Sequence, residues 1–265
     1  MEPLISTNEV AERLDEVVLN DVRWALTDPQ RGHQTYVAGH LPTAVYVDLD
    51  TDLAASPGAG RHPLPESTAF AKTLERLGIK PSDEVVVYDD MQNTIAARMW
   101  WMMRSIGHDR VRVLDGGYQR WVDENRQVDT GDVFRAPTSY PDVAFTGVAS
   151  QEDLESRPHI DARANARYQG DFEPVDPKAG HIPGAINLPA TDNVDESGRF
   201  LPTSDLSERF ASIGDNAVVS CGSGVNACHN ALAMVIAGLE MPDVYIGSFS
   251  EWSSLDLPVT TGPHP

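Results

Sequence analysis

The segment from Cys221 to Ala227 carries the side chain in this sequence best suited to nucleophilic chemistry. It reads CGSGVNA, and it lies between an apolar run ending at Ser220 and a helical pattern beginning at Val225. Glycines in such a loop let backbone N–H groups turn inward, and the helix N-terminus adds about half a positive charge. Both features favour a thiolate by lowering the pKa of the cysteine. The alternative is a small, inert cysteine buried at the end of a strand.

Cysteine phosphatases use a similar loop, in which an arginine at the sixth position after the cysteine binds phosphate. Here that position is Ala227. Hydrolysis of phosphate esters is therefore disfavoured.

Strands and helices alternate along both halves of the chain, as their apolar patterns indicate. We predict the strands and helices Val85–Tyr88, Thr94–Ile106, Val111–Leu114, Ala217–Ser220, Val225–Gly238 and Val244–Ile246, in the order strand, helix, strand in each half. This alternation predicts an α/β fold with mainly parallel sheets and helices on both faces. Ligand sites of such sheets lie beyond the carboxyl ends of the strands, which is where Cys221 is expected.

The chain reads as a duplication, because landmarks recur in the same order in both halves. The pairs are Ser6 with Ser150 at helix starts, Asp21-Val22-Arg23 with Asp161-Ala162-Arg163, His40 with His181 in GH-x-P motifs, Asp89 with Cys221, and Trp121 with Trp252. Between the halves, residues 135–141 are rich in proline and small polar residues, as a linker should be. We therefore predict two domains, residues 1–140 and 141–265.

The composition of the chain argues against nucleic acid and membranes as binding partners. The chain has 265 residues and a formal net charge of −20, which repels nucleic acid and anionic lipid. Its N-terminus lacks a signal-like pattern, and no apolar run approaches the roughly 20 residues of a membrane span. We therefore expect a cytoplasmic protein that binds neither nucleic acid nor membrane. Only Cys221 and Cys228 occur, too few for a disulfide framework and wrongly spaced for zinc, and we expect no metal and no cofactor.

Taken together, the duplicated landmarks and the Cys221 loop resemble two-domain rhodanese sulfurtransferases along nearly the whole chain. The resemblance implies that only the second repeat is catalytic and that Asp89 stands at the cysteine position of the first. It also implies a persulfide on Cys221. Within the family, thiosulfate enzymes place basic residues directly after the cysteine, whereas mercaptopyruvate enzymes read CG(S/T)G. Gly222 and Ser223 therefore favour 3-mercaptopyruvate as the sulfur donor, and a thiol or cyanide as the acceptor.

The resemblance also implies roles for individual residues. Ser223, His62 and Asp50 match a relay that stabilises or protonates the leaving enolate, and Arg167 matches the arginine that binds the donor carboxylate. A second arginine is usual after a nearby Glu-Pro, but Val175 stands there. The remaining candidate substrate contacts are residues of the loop, Gly222, Gly224, Val225 and Asn226.

Other readings stay open. The chain could use thiosulfate in the same fold, or carry a persulfide without turnover and dock a thioredoxin-like partner. His40 and His181 occur in both repeats, so a structural role is favoured for them. Cys228, expected two turns into the helix after the loop, is either a core residue or a thiol that resolves an oxidised Cys221.

Overall fold

The computed structural model describes residues 1–214, 216–255 and 257–265. The chain forms two compact units. The first comprises Met1–Ala55, Pro65–Thr146 and Glu196–Phe200, and the second comprises Ser56–Leu64, Gly147–Asp195 and Leu201–Pro265. The domain boundary near residue 140, expected from the sequence, stays a prediction. Each unit also includes a short segment from elsewhere in the chain, and the segment 56–64 brings His62 into the second unit.

The first unit is built on a five-stranded parallel sheet with the strand order β1-β5-β4-β2-β3. Its strands are β1 (Leu4–Ile5), β2 (Val17–Asp21), β3 (Val45–Tyr46), β4 (Glu84–Tyr88) and β5 (Val111–Leu114). Its helices are α1 (Thr7–Glu12), α2 (Arg31–Ala38), α3 (Leu49–Asp52), α4 (Ser67–Arg76), α5 (Thr94–Ser105) and α6 (Gly117–Asp123).

The second unit is built on a four-stranded parallel sheet with the order β7-β6-β8-β9. Its strands are β6 (His159–Asp161), β7 (Ala185–Asn187), β8 (Val218–Ser220) and β9 (Asp243–Val244). Its helices are α7 (Gln151–Ser156), α8 (Asn165–Gln169), a 3₁₀ turn (Ala190–Asn193), α9 (Thr203–Phe210), α10 (Val225–Ile236) and α11 (Ser248–Ser254).

The central strands explain why both sheets are parallel and covered on both faces. Every residue of β4, β5, β6 and β8 is buried, so each of these strands is covered on both faces. The predicted α/β class with parallel sheets is therefore confirmed. Four predicted elements were too long at one end, by one residue at Ile106 and Ala217 and by two residues at Gly238 and Ile246. α10 ends at Ile236, two residues before Gly238, whose φ of +84° is left-handed, and β9 ends at Val244, where its pairing with β8 stops.

The duplicated landmarks adopt the same local geometry in each unit. Arg23 binds the carboxylate of Asp21 and the carbonyl of Gly39, and Arg163 binds Asp161 and the carbonyl of Gly180 in the same way. These side chains are buried, and the pairing of each arginine with its aspartate is what makes an ionic group tolerable there. The repeated Asp-x-Arg motif is thus a structural clasp.

The repeated histidines and tryptophans are also structural. His40 and His181 are fully buried, and the Nδ1 atoms lie 3.0 and 2.9 Å from the carbonyl oxygens of Tyr36 and Tyr168. Each histidine also stacks on the ring of that tyrosine. The indole N–H groups of Trp121 and Trp252 each donate to a carbonyl six residues ahead in the sequence.

Candidate functional site

Cys221 lies directly after β8, at the carboxyl end of a central strand of the second unit. Only 2% of its surface is exposed. Its amide N–H donates to the Oγ of Ser248 at 3.0 Å, and its carbonyl accepts from the N–H of Phe249 at 2.9 Å. Cys221 is therefore fixed to the start of α11 by its own backbone.

The loop after Cys221 turns directly into α10. Gly224 is the N-cap of that helix with a φ of +77°, a left-handed conformation that a glycine adopts without strain. Val225, Asn226 and Ala227 then form the first turn, whose N–H groups lack partners within the helix. The candidate loop residues thus form the amide-rich N-terminus predicted from the sequence.

The first unit shows what such a loop does with an anion. The carboxylate of Asp89, directly after β4, accepts from the N–H groups of Met91, Asn93, Ile95 and Ala96 at 2.7–2.9 Å. Burial raises the pKa of Asp89 to about 6, and these four amides oppose that rise. Asn93, like Gly224, is a left-handed N-cap, so the two loops share this turn.

His62 and Ser223 meet in the second unit. The Nδ1 atom of His62 lies 2.9 Å from the Oγ of Ser223, and the side chains are 7% and 8% exposed. The contact is possible because segment 56–64 folds with the second unit. Asp50 belongs to α3 of the first unit, where its carboxylate accepts from the indole N–H of Trp24 at 2.8 Å. Its part in a relay with His62 stays a prediction.

Arg167 reaches the loop, but two buried carboxylates already bind it. Its guanidinium donates to Glu173 at 2.7 and 3.0 Å and to Asp176 at 2.8 Å. Burial opposes the charge of Arg167, whereas Glu173, Asp176 and the nearby Cys221 hold its pKa above the usual value. Burial likewise opposes the charge of Glu173, but hydrogen bonds from Arg167 and two backbone amides lower its pKa.

Arg61 is a further candidate site residue, which sequence reasoning missed. A Cβ atom placed on Gly222 would lie 2.8 Å from the Nη2 of Arg61 and 3.3 Å from the Nη1 of Arg167. Both guanidinium groups therefore lie against the residue after the nucleophile, and Gly222 is the residue type that leaves them room. The position of Arg61 directly before His62 was the available signal.

Two serines of the repeated motif near the C-terminus were missed as well. Ser248 accepts from the amide of Cys221 and donates to the carbonyl of Tyr245 at 2.8 Å. Ser250 accepts from the amide of Arg61 at 3.2 Å, and its own amide donates to the carbonyl of Gly222 at 2.9 Å. These residues hold the nucleophile loop and Arg61 to α11.

Cys228 lies in the first turn of α10, not two turns along as predicted, because the helix begins only at Val225. It is fully buried and its thiol donates to the carbonyl of Gly224 at 3.1 Å. Both cysteines are free thiols.

Among the residues that the structure describes, no helix has the length and apolar character needed to cross a bilayer.

Comparison with known proteins places these features in one family. The model of the rhodanese-like domain matches residues 6–124 and again residues 149–255. The chain is 38% identical over 278 residues to the protein of Pseudomonas aeruginosa named "Probable 3-mercaptopyruvate sulfurtransferase", with 98% of each chain covered. It is 33% identical to thiosulfate/3-mercaptopyruvate sulfurtransferase 1 of Arabidopsis thaliana, covering 97% of this chain and 78% of that one.

A solved structure agrees with these sequence matches. The 3-mercaptopyruvate sulfurtransferase SseA of Escherichia coli superposes with a TM-score of 0.83 at 30% identity, covering 94% of this chain and 99% of that one. The resemblance stated from the motifs is thereby confirmed. The chain belongs to the rhodanese family and is a tandem-domain sulfurtransferase.

Proposed function

We propose that this sulfurtransferase takes sulfur from 3-mercaptopyruvate onto Cys221 as a persulfide and passes it to a thiol acceptor. The observation that carries the donor assignment is the 2.9 Å contact between His62 and Ser223, two residues beyond the nucleophile. A paired serine and histidine can deliver a proton to a leaving group. Mercaptopyruvate needs that proton, whereas the sulfite released from thiosulfate does not.

In the proposed first step, the Cys221 thiolate attacks the thiol sulfur of the donor. An S–S bond forms and the C–S bond breaks, with its electron pair passing to the donor carbon as the enolate of pyruvate. The hydroxyl of Ser223, backed by His62, stabilises the enolate oxygen or supplies the proton that converts the enolate to pyruvate. Asp50 is proposed to complete this relay.

The amides at the start of α10 are proposed to stabilise the sulfur anion. Gly224, Asn226 and Ala227 stand at the N-cap, second and third helix positions, the positions from which Asn93, Ile95 and Ala96 bind the Asp89 carboxylate in the first unit. Hydrogen bonds to an anion are roughly twice as strong as neutral ones, so these amides favour both the thiolate and the persulfide anion.

Arg167 and Arg61 are proposed to bind the donor carboxylate, because both guanidinium groups adjoin Gly222 and are only partly buried. Arg61 then supplies the second cation that is absent at Val175. In the second step an acceptor thiolate attacks the outer sulfur, and the Cys221 thiolate leaves. A small thiol, cyanide and a thioredoxin-like protein all fit this step, and a cytoplasmic location stays a prediction.

Thiosulfate is the second candidate donor, because the guanidinium groups of Arg61 and Arg167 beside Gly222 offer N–H donors to any small anion. Steady-state rates with both donors, measured side by side with one acceptor, decide between them. We expect the larger kcat/KM with mercaptopyruvate. Preference for thiosulfate would refute the donor assignment, and a single turnover followed by arrest would identify a persulfide carrier.

A further inference from the structure

The carboxylate of Asp176 bridges the two arginines beside the nucleophile. Its Oδ1 contacts the Nη1 of Arg61 and its Oδ2 lies 2.8 Å from the Nη2 of Arg167. The side chain of Asp176 is 1% exposed, whereas those of Arg61 and Arg167 are 26% and 22% exposed. The carboxylate therefore lies beneath the guanidinium groups, which keep an accessible edge.

This bridge fixes where the positive charge lies. Arg61 comes from segment 56–64 and Arg167 from α8, and their shared partner holds both groups against Gly222. Glu173, only 3% exposed, accepts from the Nε and Nη2 atoms of the Arg167 guanidinium at 3.0 and 2.7 Å. Each guanidinium is thus oriented before the donor arrives, so little side-chain entropy is lost when a donor binds.

The Asp176 carboxylate also offsets part of the positive charge of the two arginines. Arg163 also contacts Glu173 at 3.6 Å and is itself paired with Asp161. Three guanidinium groups thus face three carboxylates, and the cluster is neutral when all three carboxylates are ionised. Its N–H donors remain available, but it lacks the net positive charge that would compensate a dianion removed from water. A monoanion loses less hydration on entering such a cluster.

We propose that Asp176 is a specificity-determining residue, which positions Arg61 and Arg167 at the anionic end of the donor and keeps their charge balanced so that a monoanionic donor is favoured over a dianionic one. The inference rests on the proposed use of Cys221 as the sulfur-accepting nucleophile. It concerns the direction in which the Asp176 charge shifts the donor ratio, which the variants measure whichever donor the parent protein prefers.

Asp176→Asn tests this directly, because it keeps the shape of the side chain and removes its charge. The ratio of kcat/KM for thiosulfate to that for mercaptopyruvate should rise about tenfold, less than an unscreened unit charge would give because the site is partly exposed. Asp176→Glu keeps the charge and should leave the ratio within about twofold while raising KM for both donors. The matched control is Asp171→Asn, a charge removal at an exposed position of the same loop, which should leave the ratio unchanged.

Two further measurements keep the test decisive. Sulfate, a dianion, and pyruvate, a monoanion, should show the same shift as competitive inhibitors of Asp176→Asn. If that variant fails to fold by circular dichroism, Arg61→Gln should move the donor ratio in the opposite direction. Equal changes for both donors, in either variant, would overturn the proposal. Failure of the proposed function appears separately, as a parent protein that prefers thiosulfate or gains no sulfur on Cys221.

Discussion

The imidazole of His62 and the hydroxyl of Ser223 are in hydrogen-bond contact at 2.9 Å, although 161 residues separate them in the chain. The serine comes from the loop of the nucleophile, and the histidine comes from the short segment 56–64 that folds with the second unit. Both side chains are nearly buried, so water competes little for this hydrogen bond.

The contact predicts that the two residues act as one unit. His62→Ala and Ser223→Ala should each lower kcat with mercaptopyruvate by about 100-fold, the low end for general acid–base catalysis. The double variant should be little worse than either single one, as expected for residues that share one task. Pre-steady-state pyruvate release measures the step. Multiplicative losses, or equal losses with thiosulfate, would show that the pair only shapes the pocket.

Cys221→Ser should abolish transfer, while Cys228→Ser should keep most of it. Cys221 stands at the strand end directly before Gly222, which lies against both arginines. Cys228 is fully buried, and its thiol donates to the carbonyl of Gly224. Intact-protein mass after donor treatment should rise by one sulfur atom in the parent and in Cys228→Ser. Turnover by Cys221→Ser would contradict the proposed nucleophile.

Gly222→Ala should weaken donor binding more than turnover. The new methyl group would lie 2.8 Å from the Nη2 of Arg61 and displace that guanidinium from the position in which Asp176 holds it. Loss of one charge-assisted hydrogen bond raises KM by about tenfold, with a smaller change in kcat. The matched control is Gly58→Ala, because a Cβ atom there meets nothing within 4 Å. An unchanged KM for Gly222→Ala would remove Arg61 from the donor site.

His159 should make the fold sensitive to acid. This histidine is buried with its Nε2 2.7 Å from the Oγ of Ser220, and burial lowers its pKa to about 4. Between pH 6.5 and 4 the unfolded chain therefore binds a proton that the folded chain does not, so stability falls as the pH falls. The contribution amounts to about 3 kcal/mol across that window.

Urea unfolding of the parent and of His159→Gln checks this. Glutamine does not titrate and can still hydrogen-bond Ser220. Between pH 7 and pH 4, the free energy of unfolding of the parent should fall by about 3 kcal/mol more than that of the variant. Parallel stability curves would mean that His159 takes up its proton equally in both states.

The elements around the nucleophile could be predicted because their signals are local. A buried apolar run gives β5 at Val111–Leu114 exactly where it was expected in the sequence, and the helix start at Thr94 is correct as well. Cys221 at a strand end follows from the same reasoning. Order along the chain and apolar periodicity were sufficient for these features.

The donor site could not be predicted in the same way. Arg61 and Asp176 are 115 residues apart, and their contact depends on segment 56–64 joining the second unit. No local pattern marks a segment that folds with a distant part of the chain. Similarly, the contacts of Glu173 and Asp176 with Arg167 depend on how the loop after α8 folds, which its sequence does not indicate.

The loop after β4, whose amides bind the Asp89 carboxylate, differs in length from the loop after Cys221. The carboxylate of Asp89 is itself the anion that the loop amides bind. Four residues separate Asp89 from the start of α5. Only three residues separate Cys221 from the start of α10. A cysteine at position 89 would therefore enter a loop one residue longer than the catalytic one. Matching the Cys221 loop in the first repeat would therefore take a deletion together with a substitution, so no single substitution makes the two loops equivalent.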